Sequence, residues 1–291
     1  MIKCFGIRFR IHPLFTLMIL LSLLTDYFVE AMTLFGIVLV HELGHVAAIK
    51  WYGWRLKEVK LLPFGGVAEV EELGTVSAWE ELVVALAGPL QHVWMIAIAW
   101  ILQHSGVSDP AWWDYFIEAN LMIGLFNLLP ILPLDGGKVM QVALSYFIPY
   151  YRAIWYGAIV SLSVSVLVIG TVVWQMGQGR PQLSMIVVSL FLFYSNWYAL
   201  RNSPFHFIRF LSARIERGGK FIHSGTLAQP IVVNGHRQVG EILKLFMREK
   251  YHLIYVMNEK GVIQKVLPEQ RLLTAYFHEK KPGSAVSELF M

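Results

Sequence analysis

Cysteine is nearly missing from this chain: Cys4 is the single one in 291 residues. One thiol cannot close an intrachain disulfide, and it excludes a metal site built on cysteine thiolates. Charge is also scarce. Asp, Glu, Lys and Arg make up 15% of the residues, where an ordinary soluble protein carries about 25%. The net charge of +4 is modest, and basic and aromatic residues do not interleave in a cluster. That removes the footprint of a nucleic-acid binder. A cleavage signal is lacking too. The opening MIKCFGIRFRIHPLFTLMILLSLLT imitates a signal peptide, but DYFVE follows it with no small-x-small site, so it reads as a retained first span. Internal repeats and low-complexity segments are absent.

What is abundant is apolar: 56% of the residues are hydrophobic, as expected of an integral membrane protein. Crossing a bilayer takes about 20 apolar residues in a helix. Six stretches qualify, at about 11–29, 31–50, 81–104, 114–135, 153–175 and 182–200. Lys and Arg gather at the N-terminus (Lys3, Arg8, Arg10), after the second span (Lys50, Arg55, Lys57, Lys60), after the fourth (Lys138, Arg152) and after the sixth (Arg201). Basic residues favour the cytoplasmic side, so six spans with both termini in the cytoplasm are expected. The stretch LLPFGGVAEVEE, between the second and third spans, suggests a short hairpin returning to the membrane surface.

Near residue 205 the long apolar runs stop and charges become regular. IVVNG reads as a strand and turn, VGEILKLFMREK as a helix, HLIYVMNEKGVIQKVLP as two strands around a turn, and EQRLLTAYFHEK as a second helix. The β-α-β-β-α order predicts a small soluble α/β domain at 204–291, behind a membrane domain at 1–203.

The second span contains VLVHELGHVAAI. An ionised side chain costs roughly several kcal/mol at membrane depth, so such groups usually line a cavity or a site. His41 and His45 are four residues apart, which puts both rings on one face of a helix. They can bind one ion, and Glu42, about 100° further round, can reach a water there without ligating the metal. This H-E-x-x-H pattern is that of a zinc hydrolase with Glu as general base. Alone, five residues with three fixed positions are moderate evidence. The alternative is a polar helix–helix contact.

A catalytic zinc takes three protein ligands, so two histidines are not enough. Asp135, at the end of NLLPILPLDGG in the fourth span, is a suitable hard ligand, and the topology brings it to the same leaflet as His45. His12 and His92 are rivals; His12 suits the interface and His92 a polar contact. Pro130 and Pro133 remove backbone donors, which opens carbonyls for pairing with an extended substrate, and Asn127 can hydrogen-bond there.

HELGH on one span and N-x-x-P-x-x-x-L-D-G-G on a later one, made by Asn127, Pro130, Leu134, Asp135, Gly136 and Gly137, together resemble the site-2 proteases, which are intramembrane zinc metalloproteases. PFGG at 63–66 and AGP at 87–89 are similar to family features beside the active site. The resemblance implies that His41, His45 and Asp135 bind one zinc ion, that Glu42 activates water, and that Asn127, Pro130 and Pro133 help place the substrate. Likeness along most of the chain is to the branch that works in endospore formation. That branch implies regulated intramembrane proteolysis: cleavage of the pro-sequence of a membrane-associated sigma-K-type factor, held back by inhibitory membrane proteins, in the mother-cell membrane around the forespore. The tail resembles a CBS domain. This makes ATP or another adenine nucleotide a candidate ligand, and a homo-oligomer a candidate state. A metal transporter or sensor using the same His/Asp site is the rival reading, against which stand the general base and the lack of an inverted repeat. A catalytically dead binding protein is a third.

Overall fold

The computed structural model describes residues 2–4, 7–11, 22–25, 27–62, 65–70, 76–107, 109–179, 183–224, 227–279 and 281–290. His12, most of the predicted first span, Pro63 and Phe64 lie outside the described residues. By internal contacts the chain forms two units. One comprises Met1–Met140 and Ser161–Asn196; the other comprises Gln141–Val160 and Trp197–Met291.

In the first unit, β1 (Ile2–Cys4) and β2 (Ile7–Ile11) form an antiparallel pair. Strand β2 continues in parallel onto β3 (Leu56–Leu62), which pairs antiparallel with β4 (Gly65–Val70). The hairpin expected from LLPFGGVAEVEE is present; the strands that Ile2–Cys4 and Ile7–Ile11 add to it were not foreseen. Helix α1 (Phe28–Trp51) carries HELGH. It stops at Gly53, whose φ of +70° is a left-handed conformation that glycine adopts without a Cβ penalty. Trp54 N–H then closes back on the Ile49 carbonyl at 3.0 Å, and Lys50 in the last turn faces the negative end of the helix dipole.

Helix α2 (Ala78–His104) starts at Ser77, whose hydroxyl accepts the Glu80 N–H at 3.2 Å. Helix α3 (Pro110–Asn127) starts with Asp109 accepting the Ala111 N–H and with proline in its first turn. Helices α1, α2 and α3 pack through Ile37, Met95 and Ala119. Outward they remain apolar: Leu43, Leu90, Val93, Ile98, Ile101, Leu121 and Leu125 are exposed. A water-facing surface does not normally hold so much contiguous apolar area; a lipid-facing one does. Among the described residues, three helices are long and apolar enough to cross a membrane: α1, α2 and α5 (Tyr150–Gly177).

The predicted fourth span, 114–135, is interrupted where Pro130 and Pro133 fall, as those prolines imply. Helix α3 ends at Asn127, residues 128–134 form a loop, and Asp135 opens a new helix, α4 (Asp135–Phe147). Prolines 130 and 133 have no N–H to give a helix ladder, and the peptide bond before Pro133 is cis. Instead, Leu132 N–H donates to Ser161 Oγ at 3.0 Å. Gly136 and Gly137 let the start of α4 lie against this loop. A Cβ on Gly136 would sit 2.1 Å from the Leu128 carbonyl oxygen, and one on Gly137 2.5 Å from the Ile131 carbonyl carbon. Only bare backbone fits there. Helix α6 (Leu183–Ser224) runs well past the predicted end at residue 200, through Pro204.

The second unit contains the tail. Strands β5 (Ala228–Asn234), β6 (Tyr251–Met257) and β7 (Ile263–Pro268) make a sheet in the order β5-β6-β7, parallel then antiparallel. With α7 (Val239–Leu243) and α8 (Glu269–Phe277) the predicted β-α-β-β-α order is realised. One sheet face buries Ile231, Val233, Ile254, Val256 and Leu267 against Ile242, Leu243, Leu272 and Leu273. Helix α7 is far shorter than VGEILKLFMREK suggests. The backbone leaves the helix because its carbonyls are claimed elsewhere: Phe246 accepts the Tyr150 N–H at 2.9 Å, and Met247, Arg248 and Lys250 accept from the Arg214 guanidinium.

Candidate metal centre

His41 and His45 sit one turn apart on the buried face of α1, with Ile37, Glu42, Gly44, Val46 and Ile49. Their Nε2 atoms are 3.1 Å apart. Asp135, at the first position of α4, brings Oδ2 to 2.9 Å from His45 Nε2 and 3.2 Å from His41 Nε2. All three side chains are buried. The structure thus gathers the expected triad, from residues about 90 positions apart, into one cluster that could hold a metal ion.

Hydrogen bonds show what this cluster requires. His45 Nδ1 lies 2.8 Å from the Val84 carbonyl on α2. A carbonyl can only accept, so Nδ1 carries the hydrogen and the neutral ring has a bare Nε2. His41 Nδ1 points away from the cluster, toward His92. His45 Nε2 is therefore a lone-pair carrier set 2.9 Å from a carboxylate oxygen, and holding two such atoms together in a buried space is costly without a cation between them. Two His and one carboxylate suit zinc. The donor set fits the ion that the sequence motif implies.

Glycines make room for it. A Cβ on Gly88 of α2 would lie 2.2 Å from His45 Nε2 and 2.7 Å from His41 Nε2, so bare backbone walls the centre on that side. A Cβ on Gly44 would meet the Ala87 carbonyl oxygen at 2.5 Å; its absence lets α1 and α2 approach closely. Lys138, one turn after Asp135, holds the other carboxylate oxygen: Nζ to Oδ1 is 3.0 Å. Glu42, next to His41 in sequence, is buried, and with Glu81 it adds negative charge around Lys138.

The residues expected to place a substrate lie on the same chain segment. Asn127 is the last residue of α3, and its Nδ2 donates to the Ile123 carbonyl at 3.0 Å. Pro130 and Pro133 are exposed in the 128–134 loop that leads to Asp135. His92, weighed as a rival ligand, stands behind His41 as a polar contact. Gly88 belongs to the AGP stretch at 87–89 that resembles a family feature beside the active site. The site roles of Lys138 and the Val84 carbonyl went unnoticed in the sequence, and of these two only Lys138 carried a signal, its position one turn after Asp135.

Comparison with known proteins follows the same residues. The family model described as Peptidase family M50 matches residues 29–108 and 95–168. Stage IV sporulation protein FB of Bacillus subtilis (strain 168) is 34% identical over 285 residues, covering 98% of this chain and 96% of that protein. A zinc metalloprotease of Methanocaldococcus jannaschii is 29% identical over 202 residues, covering 66% of this chain and 57% of that one. Among solved structures, the site-2 protease from Methanocaldococcus jannaschii is similar, with a TM-score of 0.56 and 28% identity across 69% of this chain and 94% of that chain.

Proposed function

Because the chain belongs to peptidase family M50, the site-2 proteases, and is a membrane zinc metalloprotease, we propose that His41, His45 and Asp135 hold its zinc and that Glu42 is its general base. The observation that carries this is the convergence of His41 Nε2, His45 Nε2 and Asp135 Oδ2 within about 3 Å of one another, spacings short enough for one ion to meet all three. The ion supplies Lewis-acid polarisation of the scissile carbonyl and acidification of water. The chain's own residues do the rest. Glu42 takes a proton from the attacking water as its oxygen bonds to the peptide carbon, and returns it to the leaving nitrogen as the C–N bond breaks. Lys138 keeps one Asp135 oxygen occupied, so the other faces the histidines. The 128–134 loop, with Asn127, Pro130 and Pro133, offers backbone to an extended substrate. An enzyme of this family replaces the transporter or sensor reading.

The substrate we propose is a membrane-associated precursor of a sporulation sigma factor of the sigma-K type, cleaved to release its pro-sequence. Similarity to a stage IV sporulation protein along nearly the whole chain supports it. Inhibitory membrane proteins of the same pathway, and a mother-cell membrane location, go with that reading. The distribution of Lys and Arg supports six spans with both termini cytoplasmic, and a change in composition near residue 204 supports the domain boundary there. The β-α-β-β-α order of the tail supports a CBS-like regulatory domain, with an adenine nucleotide as candidate ligand and self-association as candidate state.

The test is co-expression with a membrane-tethered pro-sigma factor. Glu42→Gln should keep zinc and lose processing; His41→Ala and Asp135→Asn should lose both. Processing by Glu42→Gln would remove Glu42 from its role.

A further inference from the structure

Two buried polar residues stand next to the metal centre without belonging to it: His92 on α2 and Asn120 on α3, 3% and 0% exposed. Their hydrogen bonds form a line that ends at His41. Asn120 Nδ2 lies 2.8 Å from the Phe116 carbonyl, four residues back on the same helix. That carbonyl only accepts, so the amide has one workable orientation, with nitrogen toward Phe116. Asn120 Oδ1 is thereby turned to His92 Nδ1, at 2.9 Å. An amide oxygen has no hydrogen to give, so His92 Nδ1 must donate. In the neutral ring, His92 Nε2 is then bare, and it lies 3.1 Å from His41 Nδ1. His41 Nδ1 must donate in turn. What is left on His41 is the lone pair of Nε2, directed at Asp135 Oδ2 and His45 Nε2.

We propose that Asn120 and His92 are positioning residues for the zinc ligand His41, fixing it as the Nδ1–H tautomer so that Nε2 is always the atom offered to the ion. The inference rests on the reading that His41 binds zinc. Each link has a fixed sense, because a backbone carbonyl starts the line and cannot reverse it. Turning any single group round brings two hydrogens or two lone pairs together in a buried space, which is unfavourable. A hydrogen on His92 Nε2 would force one onto His41 Nε2 and close the metal-facing position. The packing agrees. A Cβ on Gly124 of α3 would lie 3.1 Å from His92 Cδ2, so α3 meets the imidazole with bare backbone and leaves it little room to turn. His45 reaches the same state with a single bond to the Val84 carbonyl. The two histidines of the motif are thus set by separate devices: a backbone carbonyl for one, and a relay from a third helix for the other.

The experiment uses the full chain in nanodiscs, with zinc affinity measured by chelator competition and ring protonation by nitrogen NMR of labelled histidine. His92→Phe keeps the ring shape but removes the acceptor, and should weaken zinc binding about ten- to a hundredfold, as for other outer partners of metal ligands. His92→Gln restores an acceptor oxygen and should recover most of that loss. Asn120→Leu should weaken zinc and leave His92 without a single tautomer. In the unaltered protein His92 should show a protonated Nδ1 and His41 a metal-bound Nε2. A bare Nδ1 on His92, or zinc on His41 Nδ1, overturns the relay whether or not the variants fold. Unchanged affinity in His92→Phe, with zinc lost from His41→Ala, overturns the relay and leaves the metal site standing. Zinc retained in His41→Ala overturns both.

Discussion

Arg214 on α6 clasps Glu269 at the start of α8 with two parallel hydrogen bonds, Nε to Oε1 at 2.9 Å and Nη2 to Oε2 at 3.0 Å, both side chains buried. The guanidinium also gives hydrogens to the carbonyls of Met247 and Lys250, and its Cζ lies 5.4 Å from the Phe246 ring centroid. Glu269 in turn accepts the His252 N–H at 2.9 Å and its ring at 3.1 Å. One ion pair thus ties three segments of the tail: the last turns of α6, the bend at 246–250, and the start of α8.

Breaking this pair from one side strands a buried charge, at a cost of about 3–5 kcal/mol. Glu269→Gln is expected to destabilise the tail by that amount. Hydrogen exchange of the full chain should show faster exchange at β6 and α8, with α1 and α2 unaffected. Equal protection in variant and parent would deny the pair this role.

Acid should loosen the same region. His252 Nε2 accepts the Met247 N–H at 3.1 Å while Nδ1 faces Glu269, so the folded ring is neutral. Burial pushes its pKa below the ordinary 6.5, and the charge of Arg214 does so too, against the pull of Glu269. Burial by itself would raise Glu269, but the His252 hydrogen bond and Arg214 hold it below its ordinary 4.5. Both folded pKa values are depressed, so both contributions are complete above the unfolded values and fade as pH falls. Protection of the tail should therefore be constant above pH about 7, decline first below about 6.5 through His252, and again below about 4.5 through Glu269. Greater protection at pH 5 than at pH 7.5 would contradict these directions.

Gly88→Ala tests the wall of the metal centre. Its methyl group would lie 2.2 Å from His45 Nε2 and 2.7 Å from His41 Nε2, and the far side of that contact is helix backbone. Zinc content should fall to background while the helices still form. A variant with full zinc and full activity would mean that α2 does not stand this close to the histidines.

Much of the site was legible in the sequence because it obeys local periodicity. Four-residue spacing puts His41 and His45 on one helix face, and alternation marks the strands of the tail. Asp135 was reachable by topology. Pro130 and Pro133 announced the break before it, but the setting of the loop was not legible, because it depends on Ser161, far along the chain, receiving the Leu132 N–H, and on two glycines fitting under carbonyls. The strands at Ile2–Cys4 and Ile7–Ile11 take their register from Leu56–Leu62, a pairing that local pattern does not encode. VGEILKLFMREK has helical spacing, but Arg214 competes for its carbonyls and wins. His92 was legible as a polar contact, but its partners were not, and Asn120 was not singled out, for a related reason. Spacing tells which way a side chain points, but a tautomer is decided by what it meets there.

The 128–134 loop and Asp135 are locked to each other by the fit of Gly136 against Leu128 and of Gly137 against Ile131. A peptide laid along that loop is consequently measured from the carboxylate itself. On the proposed reading, in which the substrate pairs with this loop, the position of the cut would depend on how far along this fixed ruler the substrate can unwind. Lengthening the loop by a single residue would move the cut or abolish it, even with every ligand of the ion still in place.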